Sequence, residues 1–171
     1  MIKRSQLIDD ETGLIVSTND FRYTIFDNDK GYLFGTKKAY IKSYQGIKLS
    51  SVISNKADYA NMHLLGENLY KDTSMIAVKR NRKVYPAEIK EMSQIIGLNE
   101  RYTKEFVQRM MELGVIAKLV INTKETIQVQ YHANPLYFTS SKYISSALYM
   151  MFRKQLDEHL PAWAIQRFNE K

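Results

Sequence analysis

The junction between two helical segments around Gly97 constrains the fold of this chain more than any other feature. Apolar residues recur at helical spacing on both sides of it, at Ile89, Met92, Ile95 and Ile96 before it and at Tyr102, Phe106, Val107, Met110 and Leu113 after it. Glycine readily takes the left-handed conformation that ends a helix, and Asn99 can cap the next helix only two residues later. Two helices joined this tightly cross steeply, so the pattern predicts a helix-turn-helix whose second helix projects from the body.

The segments that flank this junction complete a recognisable order of elements. A helix is predicted over about residues 57–70, followed by the extended runs "SMIAV" and "KVYP", and Pro86 suits the first turn of the following helix. Gly114 ends the second helix of the junction, and residues 115–121 and 126–132 form a predicted β-hairpin. The order helix, strand, helix, turn, helix, hairpin predicts a winged helix, with the hairpin as its wing.

The two ends of the chain differ from this middle part. The first third is rich in Tyr, Phe, Ile and Val and predicts four strands, at about 14–17, 21–26, 31–34 and 39–44. The last part predicts a helix over about 142–160, an interruption at Pro161, and a short helix over 162–169. We therefore predict an α+β protein: a β-rich extension (1–55), a winged helix-turn-helix domain (56–138) and a C-terminal helical region (139–171).

Composition excludes several classes of function. The chain has no cysteine, which removes disulfides, thiolate zinc sites and thiol catalysis, and it has no apolar run long enough to span a membrane. Its three histidines are far apart in sequence and lack metal-ligand spacing, and a phosphate-binding Gly-x-x-x-x-Gly-Lys motif is absent. We expect a cytoplasmic protein without enzymatic activity, metal or other cofactor, and without a membrane partner.

Positive charge is concentrated in the middle of the chain. The net charge is +7, and residues 79–118 carry nine Lys/Arg against five Asp/Glu, a net charge of +4. Such a concentration suits a polyanion such as duplex DNA, while the alternative is a solvated basic face. Residues 79–83 fit either a phosphate clamp or an edge that discourages strand pairing.

The residues expected to contact DNA fall into two groups. Side chains on the polar face of the projecting helix are candidates for base readout: Arg101, Thr103, Lys104 and Gln108. Basic side chains beside this helix and on the wing are candidates for phosphate contacts: Lys79, Arg80, Arg82, Lys83, Lys118 and Lys124.

An apolar stripe in the C-terminal helix has two interpretations. Its residues are Ile144, Leu148, Met151, Phe152 and Leu156. The stripe either packs on its own domain or forms a two-fold interface, which would place two recognition helices on half-sites about one DNA turn apart. Because Met150 extends the apolar surface beyond one face, we expect a homodimer.

The chain resembles the RepL family, the winged-helix replication proteins of Gram-positive plasmids and related phage proteins. The resemblance covers roughly residues 10–140 and is carried by "ETGLIV", "EIKEMSQIIGLNERYTKEFVQRMMELGVIAK" and "VQYHANPLYF", the last with Asn134, Pro135, Tyr137 and Phe138. It implies sequence-specific binding at a replication origin or a promoter. The long C-terminal segment and the basic residues 79–83 depart from the family's pattern.

These observations lead to one expected function and two alternatives. We expect a sequence-specific duplex DNA-binding protein that acts as a plasmid or phage replication initiator and contacts host replication proteins. A transcriptional regulator that contacts the host transcription machinery shares the same architecture. A winged helix used as a protein-interaction module is the third alternative, and it predicts no salt-sensitive affinity for duplex DNA.

Overall fold

A computed structural model describes residues 2–8, 15–22, 26–27, 31–33, 47–70, 73–122, 126–141 and 143–170. These residues form a mixed α+β structure, as predicted. The helices are α1 (Lys56–Gly66), α2 (Ile89–Ile96), α3 (Glu100–Glu112), α4 (Ser146–Leu156) and α5 (Ala162–Asn169). The strands are β1 (Ile2–Ile8), β2 (Ile15–Arg22), β3 (Phe26–Asp27), β4 (Gly31–Leu33), β5 (Ala77–Arg80), β6 (Lys83–Pro86), β7 (Ile116–Asn122), β8 (Ile127–Ala133) and β9 (Tyr143–Ile144).

The N-terminal third is β-rich, but its strands differ from the prediction. Strand β1 was not predicted; it pairs antiparallel with β2 over its whole length. The predicted strand 39–44 lies outside the described residues. Strand β4 pairs with β3 on one side and with β9, more than a hundred residues later, on the other. Pairings of this kind depend on the tertiary structure, which local sequence patterns do not report.

The junction between α2 and α3 has the predicted geometry. Gly97 has φ 71°, in the left-handed region, and the Leu98 amide donates to the Ser93 carbonyl at 3.1 Å. The Asn99 side chain then accepts from the Tyr102 amide at 2.9 Å and caps α3. The end of α2 and the start of α3 are therefore both capped, and the predicted tight turn between these helices is confirmed.

The prediction that Pro86 lies in the first turn of a helix is wrong. Pro86 is the last residue of β6, where it lies opposite Ala77. The Ala87 amide donates to the Ile76 carbonyl at 2.9 Å, so the strand pairing continues past the proline. Helix α2 starts only at Ile89, after a reciprocal capping interaction between Glu88 and Glu91.

Helix α3 is rotated slightly from the predicted orientation. Its buried side chains are Thr103, Phe106, Val107 and Met110, at the i, i+3, i+4, i+7 spacing of one helix face. Tyr102, expected to face inward, lies one position off this stripe and is 56% exposed. Leu113, also expected to face inward, follows the last helical residue and is exposed as well. At the same end Gly114 (φ 67°) precedes Val115, whose amide donates to the Met110 carbonyl at 2.9 Å.

Strands β7 and β8 form the predicted hairpin, which is attached to the body along β8. The Ile76 amide donates to the Tyr131 carbonyl, and the Ala133 amide donates to the Ser74 carbonyl, both at 2.8 Å. Asn134 follows β8 and is fully buried, and its side-chain amide donates to the Gly114 carbonyl at 2.8 Å. The Asn-Pro segment therefore fixes the hairpin against the end of α3.

The C-terminal helix is shorter than predicted. Residues 143–144 form β9, Ser145 caps α4, and the helix starts at Ser146 rather than at 142. Helix α5 covers the predicted residues and follows Pro161. It packs on α4 through Phe168, whose ring stacks on Tyr149 with centroids 4.2 Å apart.

The apolar stripe of α4 packs inside its own chain. Ile144, Leu148, Phe152 and Leu156 are buried, and Met151 packs partly buried against the same core. This core also contains residues of α1, α2 and α3, such as Met62, Met92 and Phe106. The prediction that the stripe forms a dimer interface is therefore wrong for the four buried side chains, because packing within the chain leaves them no free surface.

Candidate nucleic-acid interface

Three of the four side chains predicted to read bases are exposed on α3. Arg101 has an 85% exposed side chain, and its Nε lies 3.2 Å from Glu105 Oε1, one helical turn later. Gln108 Nε2 donates to Glu112 Oε1 at 3.1 Å in the same i, i+4 arrangement. Lys104 is exposed and has no ion pair with any carboxylate of the described residues. The side chains of Arg101 and Gln108 are exposed to water, where such pairs are weak and are readily replaced by contacts with a ligand.

Thr103 is not part of this surface. Its side chain is fully buried, and its hydroxyl donates to the Asn99 carbonyl at 2.8 Å. The prediction that Thr103 faces outward is wrong, because it belongs to the buried stripe that starts one position after Tyr102. Tyr102 is the exposed side chain that sequence reasoning placed in the core.

The exposed face of α3 carries slightly more negative than positive charge. Glu100, Glu105 and Glu112 are exposed beside Arg101 and Lys104. The third α3 cation faces the body, where Arg109 binds Asp58 of α1 through two hydrogen bonds of 2.9 and 3.0 Å. The hydrogen bond to Asp58 raises the pKa of Arg109 and offsets its desolvation. General attraction for a polyanion must therefore come from elements beside α3.

The hairpin formed by β5 and β6 supplies that charge. Lys79, Arg80, Arg82 and Lys83 are all exposed at its outer end. Arg80 makes an ion pair with Glu91 of α2, which ties one side of the hairpin to the helix. In the described part of the chain Lys79, Arg82 and Lys83 have no carboxylate within ion-pairing distance. The hairpin is therefore the most strongly basic projection of the described structure.

A groove joins the two hairpins to the start of α3. It has a volume of about 610 Å³. The β5–β6 hairpin contributes Arg80 and Tyr85, the β7–β8 hairpin contributes Lys118 and Ile127, and Glu100 lies at the α3 end. Lys118 is therefore beside the groove as a phosphate-contact candidate, whereas Lys124 lies outside the described residues. The groove also includes Lys90 of α2, a basic residue that the sequence reasoning did not select.

Histidine 132 connects the β7–β8 hairpin to the body. Its Nδ1 lies 3.1 Å from the Thr73 carbonyl, and its Nε2 lies 3.3 Å from Gln130 Oε1. Burial lowers the pKa of His132, although the contact with Thr73 acts in the opposite direction. The neutral form is therefore favoured, and His132 holds the base of the hairpin without adding charge.

Comparisons of the chain with protein-family models, with curated proteins and with solved structures find no match. Among the described residues, no group of three acidic or histidine side chains is arranged to hold a metal ion. None of the helices in the described ranges has the length and apolar character needed to cross a membrane.

Proposed function

We propose that this chain is a winged-helix protein that binds duplex DNA at a specific sequence, with α3 in the major groove. The observation that carries the proposal is the arrangement around α3. Its exposed Arg101, Lys104 and Gln108 follow Glu100, which lines the same groove as the two hairpins. Each hairpin also carries cations that have no ion pair among the described residues. One hairpin provides Lys79, Arg82 and Lys83, and the other provides Lys118.

The chemistry of these groups suits base readout by the helix and phosphate contact by the hairpins. Arginine and lysine donate to guanine O6 and N7, and glutamine pairs with adenine in the major groove. Glu105 adds an acceptor suited to cytosine N4, next to Arg101 on the same helix face. Because α3 has little net charge, its contribution is expected to be specificity rather than general affinity.

The winged-helix assignment is supported by the order and pairing of elements. Helix α1 is followed by an extended segment that bonds to β8, then by α2, the tight turn, α3 and the β7–β8 hairpin. The β5–β6 hairpin is inserted between that extended segment and α2. In this assignment α3 is the recognition helix and the β7–β8 hairpin is the wing.

Of the biological roles, we propose a replication initiator or origin-binding protein of plasmid or phage type, by its resemblance to the RepL family. A transcriptional regulator is the second candidate, since the same surface would serve at a promoter. The homodimer remains a prediction without an assigned interface, because the α4 stripe is buried. The exposed Met150 and Trp163 are the apolar side chains of this region that remain at its surface.

The test is fluorescence anisotropy with duplex fragments that cover the protein's own gene and its flanks, over a salt series with competitor DNA. We expect tight binding to one fragment, with an affinity that falls steeply as salt rises. Repeated sites within one fragment favour the initiator, and a single site over a promoter favours the regulator. Weak and uniform binding to all fragments would contradict the proposal and favour a protein-interaction module.

A further inference from the structure

We propose that Arg82, at the tip of the β5–β6 hairpin, enters the minor groove beside the site occupied by α3 and selects for A·T-rich flanks. This inference rests on the proposed function and extends it, because it names the DNA sequence that should border the core site. It also gives the inserted hairpin a role distinct from a general phosphate clamp.

The first observation is the backbone conformation of the turn. Asn81 and Arg82 have φ 47° and 64°, so both central residues of this two-residue turn are left-handed, as in a type I′ turn. Such turns strongly prefer Asn-Gly, and a side chain other than Gly, Asn or Asp at the second position costs roughly 1 kcal/mol. Arginine occupies the position where glycine would be more stable, which points to a use for its side chain.

The second observation is where the hairpin directs this arginine. The strand pairing starts at Ala77 and Pro86, next to α2, and ends at Arg80 and Lys83, so Arg82 lies at the far end. Four paired residues span roughly 13 Å. The minor groove next to an occupied major groove lies about half a turn, roughly 17 Å, along the duplex. The hairpin and an extended arginine side chain together cover a distance of that order.

The third observation is that the hairpin and α3 border the same groove. Arg80 and Tyr85 of the hairpin line it together with Glu100 at the start of α3. By the strand register, Lys83 lies on the same hairpin face as Arg80 and Tyr85, whereas Lys79 lies on the opposite face. A duplex that receives α3 would therefore meet the hairpin on its groove side, with Lys83 beside the DNA backbone.

The chemistry favours arginine at a narrow minor groove. A-tracts narrow this groove and concentrate negative potential in it, and the weakly hydrated guanidinium enters more easily than an ammonium group. A two-residue turn with one extended side chain is also narrow enough to enter the minor groove, which is about 6 Å wide and too narrow for a helix. The property that Arg82 selects is the shape of the flanking DNA, and α3 reads the core sequence independently.

The test compares duplexes whose core is either the site identified in the fragment titrations or a scrambled version of it. Each core is flanked by A-tracts or by G·C pairs. Anisotropy is measured for the wild type, Arg82→Lys, Arg82→Gly and Lys83→Gln. We expect the wild type to bind several-fold more tightly with A-tract flanks. Arg82→Lys should lose this preference although it keeps the charge, and Arg82→Gly should lose it with a backbone suited to the turn. Lys83→Gln should keep the preference and bind all four duplexes more weakly.

Two results would overturn the proposal: equal wild-type affinity for the two flanks, or an unchanged preference in both Arg82 variants. The duplexes with a scrambled core distinguish a wrong role for Arg82 from a wrong proposed function. If the core is discriminated but the flanks are not, the proposed function stands and the role of Arg82 is wrong. If the flanks are discriminated through Arg82 but the core is not, α3 does not read sequence and the hairpin does.

Discussion

Lys104 is the exposed basic side chain of α3 that has no carboxylate partner in the described part of the chain. It lies one turn after Glu100, the α3 residue that lines the groove. A base contact made by this residue would exist only on the cognate site.

We therefore expect Lys104→Ala to weaken binding to the cognate duplex by about 1–3 kcal/mol and to leave binding to a scrambled duplex almost unchanged. Anisotropy titrations against both duplexes measure this. Lys154→Ala on α4 is the matched control and should change neither affinity. An equal loss on both duplexes would assign Lys104 to phosphate contact instead.

His132 makes the stability of the fold depend on pH. Burial lowers the pKa of His132 in the folded chain below its unfolded value of about 6.5. Between the two pKa values the unfolded chain binds more protons than the folded chain. The stabilising contribution of the neutral ring is thus fully present above about pH 6.5 and decreases as the pH falls below it.

The expected effect is a fall in the free energy of unfolding of up to about 1.4 kcal/mol per pH unit within that window. Urea unfolding of the wild type and His132→Gln, just above and just below about pH 6.5, measures it. His132→Gln should lack this part of the pH dependence, while the exposed His159→Gln should retain it. The same pH slope in all three proteins would show that the His132 ring is not linked to folding.

At the scale of elements, two glycines end α2 and α3 in the same left-handed conformation but in different surroundings. A Cβ added at Gly97 would meet no atom within 4 Å. A Cβ at Gly114 would lie 2.0 Å from the Gln155 side-chain nitrogen. A substitution at Gly97 therefore reports the free-energy cost of the backbone conformation alone, whereas a substitution at Gly114 also includes the cost of packing.

We expect Gly97→Ala to lower the free energy of unfolding by about 1 kcal/mol through its positive φ alone. Gly114→Ala should cost this amount and a further increment, because the flexible Gln155 side chain must move away. Urea denaturation of both variants and of Gly114→Ala with Gln155→Ala measures the difference. If the second change does not recover the extra loss, Gln155 is not its cause.

The pair formed by Asp58 and Arg109 fixes the orientation of α3 against α1. The Asp58 carboxylate is mostly buried, with a side chain 10% exposed, whereas that of Arg109 is 49% exposed. Because water reaches one partner, the contribution is smaller than that of a fully buried pair.

We expect Asp58→Asn to lower the free energy of unfolding by about 1–2 kcal/mol, since it weakens two charge-assisted hydrogen bonds. Glu105→Gln, which removes the exposed pair with Arg101, is the matched control and should cost about 0.5 kcal/mol or less. Equal losses in urea denaturation would show that the Asp58 pair is no more than a surface contact.

Sequence patterns predicted the elements whose stability is local. The glycine and asparagine at 97 and 99, the β7–β8 hairpin and α5 follow from turn chemistry and helical spacing, and all are present. The pairing of β4 with β9 depends on a partner distant in sequence, and the position of Pro86 depends on its pairing with Ala77 across the β5–β6 hairpin. The sequence pattern placed Tyr102 inward and Thr103 outward, whereas Thr103 is buried and Tyr102 is exposed. A rotation of the helix by one residue position cannot be recognised without the residues that pack against it.

The sequence predicted which types of residue form the candidate site, but not how these residues are arranged in space. Clustered cations indicated the β5–β6 hairpin, and three of the four candidates for base readout are exposed on α3 as expected. The ion pair between Arg80 and Glu91 and the pairing of Arg109 with the buried Asp58 could be found only from the structure. So did the groove that brings Lys90 and Lys118 near one another.

At the scale of the whole molecule, the unpaired positive charge and the side chains proposed to read bases lie on different elements. The exposed face of α3 has little net charge, while the β5–β6 hairpin has three cations without an ion pair among the described residues. This division predicts that the hairpin controls general affinity and that α3 controls the choice of sequence.

We expect Lys79→Gln with Lys83→Gln to weaken binding to every duplex. The dependence of affinity on salt should flatten by about 0.9 for each phosphate that the variant no longer neutralises. A salt series by anisotropy measures the slope. Lys154→Gln with Arg167→Gln removes the same charge from α4 and α5 and should leave the slope unchanged. Equal slopes for the two double variants would contradict a specific role for the hairpin.

The central claim, that α3 enters duplex DNA, is tested most directly by photo-crosslinking from two matched positions. Gln108 on α3 and Gln166 on α5 are both exposed, and each bonds to a glutamate one turn later. Helix α5 packs on α4, whose Gln155 adjoins the C-terminal end of α3, away from the groove. A photo-reactive amino acid is placed at position 108 or 166 and irradiated with the bound duplex. We expect crosslinks to bases of the cognate site from position 108 and none from position 166. Crosslinks from position 166, or no crosslink to DNA from position 108, would contradict the claim that α3 is the recognition helix.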